Sequence, residues 1–155
     1  MRTVNIDKSV WPSEVHHDVV EELLRMRRRR NELAPDAILD ASAFQILWLL
    51  SDGRARTMRE LSEGLELEQS TVNRQVNAAM RHGYLERFQV PGQVSWMHRP
   101  TPEGEEAFKL DGGRRAERLN RVFADLAPGD PAVFLAQLRA YNDAHDRQLS
   151  HNQPE

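Results

Sequence analysis

The stretch TMRELSEGLELEQSTVNRQVNAAMRHG, residues 57–83, decides the fold. Its first four residues have the spacing of a capping box, in which the Thr57 and Glu60 side chains each accept a backbone hydrogen bond from the other residue at a helix start. A short helix and a tight connection follow, and then a helix from about Glu68 to His82 that Gly83 ends. Two short helices joined by about three or four residues form a helix-turn-helix.

The period of the apolar residues changes after this motif. Tyr84 to Val90 and Val94 to Arg99 have the pattern of two strands around Pro91-Gly92-Gln93, which predicts a hairpin. Upstream, Asp40 can cap a strongly apolar helix that Gly53 ends. We expect this helix to be the buried centre of the domain.

Longer helices are predicted on both sides of this lobe. One runs from Ser13, its N-cap, to about Leu33, where Pro35 closes it. Another runs from Thr101 to Ala127 with a kink at Gly112-Gly113, and Asp130-Pro131 begins the last helix. Because their apolar rows exceed what one short lobe can cover, we expect the outer helices to pack against a second copy. The rows comprise Val19, Leu23, Met26, Leu119, Val122, Phe123 and Leu126.

The predicted fold class is therefore mainly α with a small β-wing: a winged helix-turn-helix with N- and C-terminal dimerisation helices. Residues 1–39 form an N-terminal dimerisation arm and residues 40–101 a DNA-binding lobe. Residues 102–155 supply the C-terminal dimerisation helices and a polar tail that begins beyond Leu149.

Composition excludes several classes of protein. A chain of 155 residues and 17.9 kDa is too short for a large multidomain enzyme. The absence of cysteine removes thiolate catalysis, disulfides and cysteine-ligated zinc. The longest apolar run, Ile46 to Leu50, is too short to span a membrane, and Met1 to Pro12 lacks a signal-peptide pattern. We expect a cytoplasmic protein without a membrane partner.

The distribution of charge and the missing catalytic motifs narrow the class of function. The net charge is −3, but residues 41–100 alone are net positive, at +1. The six histidines show no close metal-ligand spacing, and His16 and His17 point about 100° apart on a helix. A metal site assembled from distant residues stays an alternative. Because hydrolase, metalloprotease and nucleotide-binding motifs are missing, we expect no catalytic residues, no cofactor and no metal.

Several stretches resemble MarR-family transcriptional regulators. Glu60 to Val76, followed by Met80 and Gly83 to Arg87, is similar to the helix-turn-helix and first wing strand of that family. Leu39-Asp40 and Thr101 to Gly104 lie where the family has flanking signatures. The resemblance covers roughly residues 15–149. It implies a homodimer held by the first and last two helices, a recognition helix in each major groove, and often a small effector between arm and lobe.

Two positions depart from the family pattern. Glu66 stands in the turn of the motif where relatives commonly have glycine, and a left-handed backbone there would cost about 1–2 kcal/mol. The wing tip, Val90 to Val94, lacks the family's acidic residue and arginine. We therefore expect this wing to contribute little electrostatic affinity.

The second helix of the motif begins with side chains suited to base reading, since Arg pairs with guanine and Asn or Gln with adenine. Val72 and Val76 are expected to point inward. The alternative is an ordinary solvated helix face. The candidate DNA contacts, including phosphate-binding cations beside the motif and on the wing, are Gln69, Ser70, Thr71, Asn73, Arg74, Asn77, Arg54, Arg56, Arg87, Gln93 and Arg99.

Two other groups of residues each allow two interpretations. The basic run Arg25 to Arg30 is either solvated and paired with Glu21 and Glu22, or a phosphate contact of the arm. Trp48 and Trp96 are expected in the core, with stacking on a planar effector as the alternative.

The sequence thus predicts a dimeric, repressor-like regulator of transcription. Its partners would be double-stranded DNA with a pseudo-palindromic operator, a second copy of the chain, and a small apolar or aromatic effector. The alternative is a helical module whose winged helix binds protein, which the acidic total charge and the arginine-poor wing favour.

Overall fold

A computed structural model describes residues 12–30, 36–126 and 130–151. Helices dominate and a small antiparallel sheet is present, which confirms the expected fold class. The elements in chain order are α1 (Glu14–Arg30), α2 (Ala41–Leu50), β1 (Arg56–Thr57), α3 (Met58–Leu65), α4 (Gln69–Arg81), β2 (Leu85–Gln89), β3 (Trp96–Pro100), α5 (Pro102–Asp125) and α6 (Pro131–His151).

The core lies where α2, α3 and α4 meet. The Asp40 side chain accepts the Ala43 N–H at 2.8 Å and so caps α2, as expected. This helix is the buried centre, since four of its apolar residues are buried. Each buried aliphatic side chain contributes roughly 1.5–3 kcal/mol. The core residues are Leu39, Ala43, Ile46, Leu47, Leu50, Leu61, Val72, Val76, Ala79, Leu85 and Ala107.

The sheet has the order β1-β3-β2, with both pairs antiparallel. The hairpin was expected, although its strands are placed slightly differently because Val90 to Gln93 form the turn: the Gln93 N–H donates to the Val90 carbonyl at 3.0 Å, and Gly92 has φ +83°. The strand β1 was not expected. Two residues are too few for an alternating pattern to be recognised.

The start of α5 is fastened to the hairpin. The Thr101 hydroxyl accepts the Gly104 N–H at 3.0 Å and donates to the Gly83 carbonyl at 2.5 Å. Gly104 is buried, and an added Cβ would overlap the Tyr84 carbonyl oxygen. Glycine is therefore required for this close approach.

A buried carboxylate makes the second connection. Asp111 on α5 accepts backbone N–H bonds from Ile38 at 3.0 Å and from Leu39 at 2.8 Å. Leu39 belongs to the core, so this interaction holds the segment before α2 against α5.

The outer helices follow their predicted starts. Glu14–Arg30 follows Ser13 directly, and the Asp130 side chain accepts the Ala132 N–H at 2.9 Å beside the start of α6. The predicted α1 end near Leu33 and Pro35 lies outside the described residues, as do Ala127 and the tail beyond His151.

The helix α5 is continuous through Gly112-Gly113, and the division of the chain into two compact units falls between Asp111 and Gly112. Among the helices that the structure describes, none combines the length and the apolar character needed to cross a membrane.

The turn between α3 and α4 contains a left-handed residue. Glu66 has φ 53° and ψ 42°, and its N–H donates to the Glu63 carbonyl at 3.3 Å. Among the described residues it is the one non-glycine residue with positive φ. The turn thus keeps the left-handed conformation even though the chain has a glutamate here.

We predict that Glu66→Gly raises the free energy of unfolding by about 0.5–1 kcal/mol, because glycine adopts this conformation without the Cβ clash. Urea denaturation measures the change. Glu66→Ala is the control, since it removes the charge and keeps the Cβ. An equal gain in both variants would assign the effect to the charge and contradict the strain argument.

Candidate nucleic-acid interface

The helix α4 presents one buried and one solvent-facing side. Val72 and Val76 have no exposed surface, which confirms their predicted inward direction. Asn73 and Arg74 lie on the exposed side, and the Asn77 amide donates to the Asn73 side-chain oxygen at 3.1 Å. Gln69 and Ser70 are also exposed, whereas Thr71 is half-buried. The predicted base-reading residues therefore share the accessible side and end of one helix.

A groove of about 710 Å³ separates the start of α4 from the hairpin. The first turn of α3 forms its third wall. Donors and acceptors from both elements converge on this groove, and it is open to solvent. Its lining residues include Gln69, Ser70, Asn73, Arg87, Ser95 and Trp96.

The two hairpin arginines lie on opposite faces of the wing. Side chains alternate along a strand, and Arg87 pairs with His98 while Glu86 pairs with Arg99. Arg87 lines the groove. Arg99 instead donates to the Glu86 carboxylate at 2.6 Å. The sequence predicted both as DNA contacts, and the structure brings only Arg87 to the recognition helix.

The two arginines beside the motif, Arg54 and Arg56, differ in exposure. Arg56 donates to both Asp52 oxygens, at 2.8 and 2.7 Å, and to the Leu49 carbonyl at 2.7 Å, with only 16% of its side chain exposed. The Arg56 guanidinium holds the pKa of Asp52 well below its usual range. Arg56 thus stabilises the turn after α2, while Arg54 is exposed.

The wing tip is neutral and partly apolar. Gln93 is exposed in the turn, and 93% of Val94 is accessible to solvent. A long cation is absent from Val90 to Ser95, as the sequence indicated.

Trp48 and Trp96 were both expected in the core, and for both the expectation is wrong. Trp48 is 67% exposed, because the inward side of α2 is taken by Ile46, Leu47 and Leu50. It lies on a surface aromatic cluster, with its ring 6.3 Å from Phe44 and 6.2 Å from Phe108. Trp96 is 43% exposed at the groove.

His98 lies beneath the groove and was missed as a notable residue. It is 3% exposed, and its Nδ1 is 3.2 Å from the Arg56 carbonyl oxygen. A carbonyl accepts, so we assign the proton to Nδ1. Burial lowers the pKa of His98, the bond to Arg56 partly offsets this, and the charge of Arg87 lowers the pKa further. Its alternation with Trp96 along one strand was the available signal.

The arm carries two charged groups. Arg25 bonds Glu22 at 3.2 Å, in line with the paired reading of the basic run, and Arg27 to Arg29 are exposed. One turn earlier in the helix, His17, Asp18 and Glu21 place ligand atoms within 4.8 Å of one another. These three are the described residues that could hold a metal ion, and their spacing on one helix was the signal that the sequence reading missed.

Comparison with known proteins supports the fold and its class. The sequence model of the MarR family matches residues 39–93. The uncharacterised HTH-type transcriptional regulator YxaD of Bacillus subtilis is 28% identical over 108 residues, which cover 68% of this chain and 75% of YxaD.

Solved structures of other proteins share the fold, among them the following two. A variant of E. coli MarR in complex with operator DNA has a TM-score of 0.65 at 16% identity, covering 79% of this chain and 93% of its own. Bordetella bronchiseptica BpsR, whose DNA binding is regulated by 6-hydroxynicotinic acid, has a TM-score of 0.64 at 20% identity, covering 83% and 98%.

We predict that lowering the pH from 8 to 5 destabilises the protein through His98. Its pKa is lowered in the folded state, so the unfolded chain binds the proton more readily below about 6.5 and stability falls as pH falls through that value. Urea denaturation at each pH measures the slope. His98→Gln should reduce the slope, whereas the exposed control His82→Gln should not. An unchanged slope in His98→Gln would contradict the assignment.

Proposed function

We propose that this chain, whose residues 39–93 match the sequence model of the MarR family, is a DNA-binding transcriptional regulator that acts as a repressor-like homodimer on a pseudo-palindromic operator. The observation that carries the proposal is the exposed polar side of α4 above the buried Val72 and Val76, beside an open groove. A recognition helix needs this geometry to enter a major groove.

Base reading falls to the first two turns of α4. Asn73 and Arg74 carry the groups that make bidentate contacts with adenine and guanine, and Gln69 lies one turn earlier on the same accessible end. Ser70 and Thr71 suit phosphate contacts near the helix start. Arg87 and Arg54 supply cations whose side chains form no ion pair within the described part of the chain. Gln93 at the wing tip offers hydrogen bonds but no charge.

Dimerisation is supported by the exposed apolar side chains of the outer helices. Helix α1 alone exposes Val15, Val19, Leu23, Leu24 and Met26. Contiguous apolar surface of this kind marks an interaction site, and a symmetric copy presents the same surface. The C-terminal helices add Leu119, Val122, Leu126, Val133, Phe134, Leu135, Tyr141 and Leu149.

We further propose that a small apolar or aromatic molecule controls DNA binding in the cytoplasm. Regulation of BpsR by 6-hydroxynicotinic acid gives a precedent in a protein of the same fold. Two features of this chain support a planar ligand: the exposed ring of Trp48 beside Phe44, and a cavity of about 340 Å³ that Phe108 lines.

One observation favours a second function, in which the lobe binds a protein. The wing tip exposes Val94 and Pro91 and carries no cation, and the chain is acidic overall. Titration with mixed genomic fragments at increasing salt separates the two. Phosphate neutralisation gives a steep loss of affinity with salt, and a protein-binding wing gives no DNA binding to lose.

We predict that Asn73→Ala and Arg74→Ala each weaken specific DNA binding by about 1–3 kcal/mol per lost bidentate contact without changing the melting temperature. Fluorescence anisotropy at fixed salt measures the affinity for a selected operator. Arg81→Ala is the matched control, an exposed arginine in the last turn of the same helix. Wild-type affinity and selectivity in either variant would remove that residue from base reading.

We predict a homodimer at micromolar concentration in sedimentation velocity. Val122→Glu should shift the equilibrium towards monomer, because it places a charge in the apolar surface that the second copy would cover. Asn120→Glu, which adds the same charge at an exposed polar position of α5, is the control. A wild-type monomer at this concentration would contradict the prediction.

A further inference from the structure

The groove face of the wing carries an arginine stacked on a tryptophan. The guanidinium carbon of Arg87 lies 4.7 Å from the centroid of the Trp96 ring. Arg87 pairs with His98, and Gln89 pairs with Trp96. The two side chains are thus diagonal neighbours on one face of the hairpin, a separation that long side chains bridge.

The two wing arginines, Arg87 and Arg99, differ in whether a carboxylate neutralises their charge. It also stacks on a ring, with its guanidinium carbon 4.6 Å from the Phe88 centroid, but the Glu86 carboxylate at 2.6 Å neutralises it. In the described part of the chain Arg87 forms no such ion pair. Arg87 therefore keeps an uncompensated charge, and its described partner is an aromatic face.

The surroundings of the pair face the recognition helix. Arg87 and Trp96 line the same groove as Gln69, Ser70 and Asn73. Below them His98 is buried, and burial favours its neutral form, so Arg87 is the cation on this face of the hairpin. A guanidinium at the mouth of such a groove is suited to a phosphate oxygen, which it can bind with two donors.

We propose that Trp96 is a positioning residue for DNA binding: its ring holds the Arg87 guanidinium beside the start of α4, where Arg87 binds a backbone phosphate of the site that α4 reads. The flank of the wing thereby supplies the cation that its tip lacks. The assignment rests on the proposed function, and it adds Trp96 to the DNA-binding apparatus.

The test measures affinity for the selected operator against salt concentration in a set of variants. Arg87→Ala should reduce the slope of log affinity on log salt by about 0.9 per protomer, hence by about twice that in a dimer. Trp96→Leu keeps apolar bulk and removes the π face, and it should weaken binding about two- to fivefold per protomer. Trp96→Phe should restore most of that loss. Arg99→Ala should keep the wild-type slope.

A double-mutant cycle separates positioning from a merely structural role. In the Arg87→Ala background, Trp96→Leu should cause no further loss, because the ring then has no guanidinium to hold. The same loss in both backgrounds would overturn the proposal, as would an Arg99→Ala slope equal to that of Arg87→Ala. Circular-dichroism melting checks that each variant folds, and Trp96→Thr, which also removes the ring and suits an exposed strand position, carries the test if Trp96→Leu does not fold.

The controls distinguish this proposal from the function on which it rests. If the wild-type chain shows no salt-dependent DNA binding, the proposed function fails. If the wild type binds and Arg74→Ala weakens binding, while the Arg87 and Trp96 variants match the wild type, the positioning role alone is overturned.

Discussion

The burial of Val72 and Val76 is the constraint on which the rest of the interface depends. Both side chains are fully covered by the core, and each contributes roughly 1.5–3 kcal/mol to stability. Rotating the helix by one residue, about 100°, would expose these side chains and place the polar Asn73 and Asn77 in the core instead. The core packing of α4 therefore fixes the direction of its polar side, and no contact with DNA is needed to preorganise it.

The position of the hairpin relative to α4 is fixed where the hairpin joins α5. The strand β3 passes into α5 at Thr101, whose hydroxyl joins Gly83 to Gly104, and the Gly104 backbone lies directly against Tyr84. A shift of the wing along the lobe would break these bonds. Because strand side chains alternate, the same register decides that Arg87 faces α4 and that Arg99 faces away. The packing of α4 on the core thus fixes one side of the groove, and the attachment of the hairpin to α5 fixes the other.

The sequence predicted what depends on local spacing and missed what depends on packing. The capping box at Thr57, the cap at Asp40 and the inward valines of α4 follow from short-range patterns, and all three are present. Trp48 was misplaced because α2 is apolar around most of its circumference, so that periodicity does not show which side is buried. To predict that Arg87 faces α4 and that Arg99 faces away, one needs the hairpin register, which the turn residues alone do not fix.

Selection of short duplexes from a random pool by the wild-type chain at fixed salt tests most directly whether α4 reads bases. A dimer that places one α4 in each of two successive major grooves should enrich an inverted repeat whose half-site centres lie about 10–10.5 base pairs apart. Enrichment of such a repeat is expected if the exposed side of α4 reads bases. Recovery of unenriched sequences, or of a motif without two-fold symmetry, would contradict it.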